Sequence, residues 1–285
     1  MILLVTARPP IAGVAVGTIA VPPVACAFVS PPAPILPGAE PFSATGGTDG
    51  ALCLHGFTGT PQALRGVAEQ LAAAGLTVEL PLLPGHGTAV ADLVPTRWPD
   101  WSACAEQAYL ELAARCDRVV LVGLSMGGTL ACWLAAHHPE VAGLALVNPL
   151  VAPPDPALRA AAQELLANGT ETVPGIGSDI ADQEAASELS YPETPLAAAL
   201  SLFDATADLA GSLGEIGCPV LLLSSRQDHV VPPDTGDRLL QAVLGPAHRV
   251  WLERSYHVAT LDYDREEVEE RIVAFAQTVL EGADE

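Results

Sequence analysis

The chain has 285 residues, half of them hydrophobic, and a formal net charge of −22 from 34 acidic and 12 basic side chains. This length and hydrophobic content suit one large or two small α/β domains that can bury a core without metals or disulfides. The acidity, with every basic residue an arginine, argues against a nucleic-acid partner or an anionic lipid surface.

The N-terminal stretch, residues 1–34, is apolar but interrupted. Arg8 follows its first apolar run, which reverses the basic-then-apolar order of a secretory signal. Pro22 and Pro23 break the second run, whereas a membrane span needs about 20 uninterrupted apolar residues. We therefore predict residues 1–34 to be a disordered extension or an over-long start, in a cytoplasmic protein. A membrane anchor in this stretch is the alternative.

The cysteines show no C-x-x-C pair and no His/Cys ligand spacing, so they predict neither a metal site nor a redox motif. We expect them to be buried reduced thiols in a cytoplasmic enzyme. The six are Cys26, Cys53, Cys104, Cys116, Cys132 and Cys218.

From residue 35 onwards, short apolar runs alternate with amphipathic segments, which is typical of strands and helices in turn. The predicted strands are 50–54, 77–80, 118–122, 141–147, 220–224 and 249–252, and the predicted helices are 61–74, 101–114, 126–137 and 266–280. Such alternation favours a mostly parallel sheet with helices on both faces, an α/β fold. We assign residues 35–152 and 218–285 to this core.

Residues 153–217 interrupt the alternation. They contain two helical stretches, 156–168 and 195–211, without a convincing strand between them. Helices inserted between two strands of a sheet predict a small helical cap over an active site.

The strongest chemical signal is the turn Gly123-Leu124-Ser125-Met126-Gly127. A G-x-S-x-G turn between a strand and a helix holds its serine in a strained backbone, with the hydroxyl above the sheet. The N-terminus of the following helix favours an oxyanion. A chance Gly/Ser turn is the alternative, but the strand before and the helix after this turn favour Ser125 as a nucleophile.

A serine nucleophile needs a base, and His257 is the best candidate because it follows the last predicted strand and precedes the last helix. The imidazole needs a carboxylate to fix its tautomer, and Asp228 lies just after the strand 220–224. The resulting chain order, Ser, Asp, His, is the one expected after a nucleophile elbow. Asp234 and Asp237 are rival acids.

His229 is a rival base, although it shares the loop of the acid. The oxyanion requires two N–H donors. We expect one from the backbone of Met126 and the other from Phe57, in a glycine-containing loop after the first core strand. His55 is interpreted as a brace for that loop, and His86, between two glycines, as a turn-stabilising residue.

Taken together, the segments LHGFTGTP, LPGHG, GLSMGG, SRQDHVVPP and SYHVATLD resemble the thermostable bacterial carboxylesterases and the related bacterial monoacylglycerol lipases. The resemblance runs from about Leu36 to Leu280. It implies an α/β-hydrolase fold with a small helical cap above an acyl-binding pocket. It also implies the same nucleophile, acid, base and pair of oxyanion donors as the residues themselves suggest.

We therefore expect a serine carboxylesterase that hydrolyses short- to medium-chain esters through an acyl-enzyme on Ser125, with no cofactor and no metal. A monoacylglycerol lipase with the same triad is the alternative. A cofactor-free haloperoxidase or C–C hydrolase would use the same residues, because a fold does not fix a function. A binding protein that has lost catalysis is disfavoured, since all three triad members are present. The expected partner is a small-molecule ester; no membrane association is expected, and the oligomeric state is not predicted.

Overall fold

The computed structural model describes residues 33–282. The predicted N-terminal extension, residues 1–34, lies outside the described residues except for its last two positions. The strands are β1 (Phe42–Ala44), β2 (Asp49–Leu54), β3 (Thr77–Leu80), β4 (Arg118–Leu124), β5 (Gly143–Val147), β6 (Thr172–Pro174), β7 (Glu193–Pro195), β8 (Val220–Ser225) and β9 (Ala247–Leu252).

A seven-stranded sheet forms the centre, in the order β1-β3-β2-β4-β5-β8-β9. All its neighbouring strands are parallel except β1, which pairs antiparallel with β3 at one edge. The six strands that the sequence predicts are all present, and the prediction of a mostly parallel sheet is confirmed.

Helices cover both faces of this sheet. They are α1 (Arg65–Ala73), α2 (Val90–Leu93), α3 (Trp98–Ala113), α4 (Met126–His137), α5 (Pro156–Ala167), α6 (Leu196–Leu209), α7 (Thr235–Ala242) and α8 (Arg265–Glu281). None of the helices within residues 33–282 is long and apolar enough to cross a bilayer.

Two hydrophobic cores flank the sheet because successive strand residues point to opposite faces. In β2, Leu52 and Leu54 join the core that α3, α4 and α6 cover. The intervening Ala51 and Cys53 join the core beneath α1 and α8. Strands buried on both faces explain why the sequence shows continuous apolar runs rather than alternation.

The segment 153–217, called the insert below, contains both helices that the sequence predicts there, α5 and α6. It also contains β6 and β7, which pair antiparallel, so the expectation of no strand between the helices was wrong. Each of these strands has only three residues, too few to show a periodic pattern. Leu202 and Leu209 of α6 pack into a core of the sheet, whereas α5 exposes Leu158 and Leu165.

Within residues 33–282, Cys218 is only partly buried and Cys104 is not a free thiol, whereas the other cysteines match the expectation of buried reduced thiols; Cys26 lies outside the described residues. Cys53, Cys116, Cys132 and Cys218 are free thiols, and burial raises the pKa of Cys53 to about 12. Cys104 is disulfide-bonded, so the prediction of reduced thiols is wrong there.

Candidate active site

The predicted site residues meet at one edge of the sheet. Ser125 follows β4, Asp228 follows β8 and His257 follows β9. These strands are parallel members of one sheet, so their carboxyl ends lie at the same edge, where open α/β sheets bind ligands. Residues 226–234 are called the acid loop below, and residues 253–258 the base loop.

Ser125 lies in a strained turn between β4 and α4. Its backbone has φ 55° and ψ −117°, a conformation that side-chain-bearing residues adopt only where the surroundings enforce it. Its N–H donates to the Val147 carbonyl at 3.1 Å. A Cβ on Gly127 would collide with the Leu54 carbonyl oxygen, and one on Gly123 would collide with the backbone of Gly127. The turn therefore requires both of its glycines.

Asp228 and His257 form a buried pair. The Asp228 Oδ2 lies 2.9 Å from the His257 Nδ1, and the two side chains are 2% and 8% exposed. The other carboxylate oxygen accepts the N–H groups of Val230 and Val231, both at 2.8 Å. A carboxylate fixed in this way holds the proton on Nδ1 and leaves Nε2 as the basic nitrogen.

Two of the three rival residues have other side-chain partners, and the third lies at a helix terminus. His229 is 59% exposed and its Nδ1 lies 2.8 Å from Asp179. Asp237 accepts from the Arg249 guanidinium at 2.6 Å, and Asp234 is the N-cap position of α7. Among residues 33–282, Asp228 is the carboxylate that the ring of His257 contacts.

The Ser125 hydroxyl and the His257 ring share the site without a direct hydrogen bond between them in the described part of the chain. Hydrogen bonds between a nucleophile and its base are often long before substrate binds and tighten in the complex.

The loop of residues 55–59 borders the serine. A Cβ on Gly56 would lie 3.5 Å from the Ser125 Cβ. The backbone N–H groups of Phe57 and Met126 donate to no acceptor within residues 33–282, so both are available to a ligand. Two such donors beside a serine are what a tetrahedral oxyanion requires.

Two buried histidines support this loop. The His55 Nδ1 lies 2.9 Å from the Gly56 carbonyl, and its Nε2 accepts the Leu83 N–H at 3.1 Å. The His86 ring packs edge-to-face against Phe57, with ring centres 6.1 Å apart. Burial lowers the pKa of His55 to about 4 and that of His86 to about 3. Both rings are therefore neutral at physiological pH and act in packing and hydrogen bonding.

Sequence reasoning missed the groups that hold the base loop. Four consecutive backbone N–H groups of this loop donate to carboxylates. Those of Arg254 and Ser255 donate to Asp264, at 3.0 and 2.9 Å. That of Tyr256 donates to Asp262 at 2.8 Å, and that of His257 donates to Asp179 at 3.0 Å. From the end of β5, Asn148 donates to the His257 carbonyl at 2.8 Å. The sequence signal for these contacts was the pair of aspartates, Asp262 and Asp264, shortly after His257.

Glu188 was missed as well. A Cβ on Gly59 would lie 2.7 Å from its Oε1, which places the carboxyl beside the loop of Phe57. Burial raises the pKa of Glu188 to about 7, although the nearby His257 opposes that rise. The insert thus brings an ionisable group to the site.

Three comparisons identify the relatives of this chain. Residues 50–264 match the model of the Hydrolase_4 family, described as serine aminopeptidase, S33. The chain is 43% identical over 246 residues to the thermostable monoacylglycerol lipase of Bacillus sp. (strain H-257), over 85% of this chain and 96% of that protein. It is 26% identical over 247 residues to the carboxylesterase of Bacillus subtilis (strain 168), over 84% and 96%.

Among solved structures, a metagenome-derived lipolytic enzyme from the study of LipS and LipT superposes with a TM-score of 0.82 at 42% identity. The match covers 86% of this chain and all of that one. The relatives therefore confirm the family resemblance inferred from the five sequence segments. The chain belongs to the Hydrolase_4 family and is an ester hydrolase with the α/β-hydrolase fold.

Proposed function

We propose that the chain hydrolyses carboxylic esters through an acyl-enzyme on Ser125, with His257 as general base and Asp228 as the carboxylate that orients it. The observation that carries the proposal is the 2.9 Å contact between Asp228 Oδ2 and His257 Nδ1. This pair lies at the sheet edge where Ser125 occupies its strained turn.

In the first step, His257 accepts the hydroxyl proton as Ser125 Oγ attacks the ester carbonyl carbon. The oxyanion that forms accepts hydrogen bonds from the N–H groups of Phe57 and Met126. The imidazolium then gives its proton to the departing alcohol, and the acyl group stays on the serine. Water repeats the sequence on the acyl-enzyme and releases the acid.

Short- to medium-chain esters are the proposed substrates. Monoacylglycerols are the second candidate, because the chain is 43% identical to a monoacylglycerol lipase and 26% identical to a carboxylesterase. The carboxyl of Glu188 also supports this candidate, since it lies near His257 and can accept hydrogen bonds from the free hydroxyls of a glyceryl leaving group.

We also propose that the insert, residues 153–217, forms a cap on a core of residues 35–152 and 218–285. Two contacts support a position over the site. Tyr191 donates its N–H to the Thr58 carbonyl at 3.0 Å, next to Phe57, and Glu188 lies close to Gly59. Because α6 also packs into a core of the sheet, the overlying part is the chain from α5 to β7.

The proposed location is the cytoplasm, without nucleic-acid or membrane partners. The four free thiols support a reducing compartment, and the net charge of −22 disfavours polyanionic partners. The disulfide of Cys104 argues against a cytoplasmic location, because disulfides are rare in a reducing compartment. Fractionation of cells that express the full chain should place the esterase activity in the cytosolic fraction; activity in the membrane or periplasmic fraction would refute this location.

The central test is Ser125→Ala, with the exposed Ser187→Ala as the matched control. We expect the wild type and S187A to react with a fluorophosphonate probe and to hydrolyse nitrophenyl esters, and S125A to do neither while remaining folded. Turnover retained in S125A would contradict the proposal. A panel of nitrophenyl esters from acetate to laurate, together with monoolein, then separates the two substrate classes.

A further inference from the structure

Asp179 lies in the insert, between β6 and β7, and contacts both the acid loop and the base loop. Its Oδ2 accepts the backbone N–H of His229 at 3.2 Å and that of His257 at 3.0 Å. Its Oδ1 lies 2.8 Å from the His229 Nδ1, and its own carbonyl accepts the Val258 N–H at 3.1 Å. The Asp179 side chain is 13% exposed.

The two N–H groups on Oδ2 belong to different loops. His229 directly follows Asp228 in the acid loop, and His257 is the proposed base itself. One carboxylate oxygen therefore joins the backbone beside the acid to the backbone of the base. The distance between these loops in turn sets the contact of Asp228 with the His257 ring.

Other contacts fix each loop separately. Asp228 accepts N–H groups from its own loop, while Asp262 and Asp264 hold the base loop through residues 254–256. Asp262 also accepts the N–H groups of Ala181 and Asp182 at 2.7 and 2.9 Å. The loop of the insert that carries Asp179 is thus itself anchored, through Asp262, to the chain that follows the base loop.

Building on the proposed function, we propose that Asp179 is a positioning residue for ester hydrolysis. Its carboxylate, supplied by the insert, clamps the acid loop to the base loop and so aligns His257 between Asp228 and Ser125. Asp179 touches neither substrate nor the reacting atoms in this role. The insert, on this proposal, contributes to catalysis as well as to covering the site.

The test compares three substitutions of Asp179 with one control. Asp179→Ala removes both acceptors, whereas Asp179→Asn keeps one oxygen for the two backbone N–H groups and places an amide beside the His229 Nδ1. Asp179→Glu keeps charge and acceptors but displaces them by one methylene. Asp182→Ala removes a carboxylate of the same loop, which within residues 33–282 bonds to the N–H of Glu184 alone.

We expect D179A and D179E to lower kcat for nitrophenyl butyrate by a factor on the order of 10², the cost of a catalytic group misplaced by about 1 Å. KM should stay unchanged, and the rate of fluorophosphonate labelling should fall in parallel with kcat. D179N should recover most of kcat, and D182A should behave as wild type. If D179A does not fold, the contrast between a slow D179E and an active D179N carries the test.

Wild-type kcat in D179A or in D179E would overturn the inference, and so would a D179N variant as slow as D179A. A rise in KM at unchanged kcat would also overturn it, because that pattern indicates substrate binding rather than alignment. S125A is assayed in parallel: turnover retained in S125A refutes the proposed function, whereas an inactive S125A with a fully active D179A refutes only the clamp.

Discussion

The Asn148 side chain donates to the carbonyl of His257 at 2.8 Å and so joins the end of β5 to the proposed base. Its amide oxygen accepts the Ser225 N–H at 2.7 Å, and its nitrogen also donates to the Ser225 hydroxyl at 2.9 Å. Asn148 is 4% exposed and has φ 43°, in the left-handed region that asparagine tolerates better than most residues. One buried amide thus connects two strand ends and the base loop.

We expect Asn148→Ala to lower the free energy of unfolding by about 1–3 kcal/mol, because the Ser225 N–H loses its buried acceptor. The value of kcat should fall as well, since the base loop loses a fixed contact. Asn148→Gly relieves the backbone conformation but not the lost hydrogen bonds, so it should stay destabilised. Urea unfolding measures the free energy of unfolding of both variants, with the exposed Asn168→Ala as control. Full stability in N148G would show that the amide contacts contribute nothing.

The turn around Ser125 leaves no room for a side chain at Gly127, where a Cβ would meet the Leu54 carbonyl oxygen. We expect Gly127→Ala to lower stability by about 3 kcal/mol, at the upper end of overpacking costs, and to remove esterase activity because the turn must open. Gly217→Ala is the matched control, since a Cβ there meets nothing within 4 Å. Thermal unfolding and nitrophenyl ester turnover should separate the two variants. Equal melting temperatures would contradict the steric argument.

Much of the fold was predictable because its signals are local. The sequence predicts β3 and α4 with the bounds that the structure has, 77–80 and 126–137. A short apolar run between a glycine and a proline marks β3, and the glycine-flanked turn at Ser125 marks the start of α4. The pairing of Asp228 with His257 was also predictable, because parallel strands bring their carboxyl ends to one edge whatever the length of chain between them.

The remaining features depend on contacts that the sequence does not encode locally. β1 exists through backbone pairing of three residues with β3, which leaves no periodic pattern. Asn148 and Asp179 meet His257 across 109 and 78 residues of chain, and neither belongs to a recognisable motif. The raised pKa of Glu188 arises from burial, which only the packing of the insert creates.

The orienting carboxylate can be tested without removing its structural hydrogen bonds. Asp228→Asn keeps an oxygen for the N–H groups of Val230 and Val231 but presents an amide that favours the wrong tautomer of His257. We expect kcat to fall by about 10⁴-fold, as for the corresponding change in serine proteases, with unchanged circular dichroism. Asp237→Asn, at the rival acid, should leave kcat unchanged. A D228N variant that retains wild-type kcat would exclude Asp228 as the orienting acid.

Glu188 should make stability depend on pH. Burial raises its pKa to about 7 in the folded protein, from 4.5 for an ordinary glutamate. Below pH 4.5 the carboxyl is protonated in both the folded and the unfolded chain, so it has no effect on the equilibrium. As pH rises from 4.5 to 7, the unfolded chain ionises while the folded chain keeps its proton, and the contribution of Glu188 to stability falls.

Glu188→Gln removes this ionisation. The melting temperature of E188Q should therefore approach that of the wild type below pH 4.5 and exceed it increasingly as pH rises to 7, with a constant gap above. Glu193→Gln, at an exposed glutamate of β7, should follow the wild-type curve throughout. Calorimetry over this pH range measures the gap. If E188Q and wild type give parallel curves, Glu188 is solvated in the folded protein, and its carboxylate is then charged at neutral pH without cost to the fold.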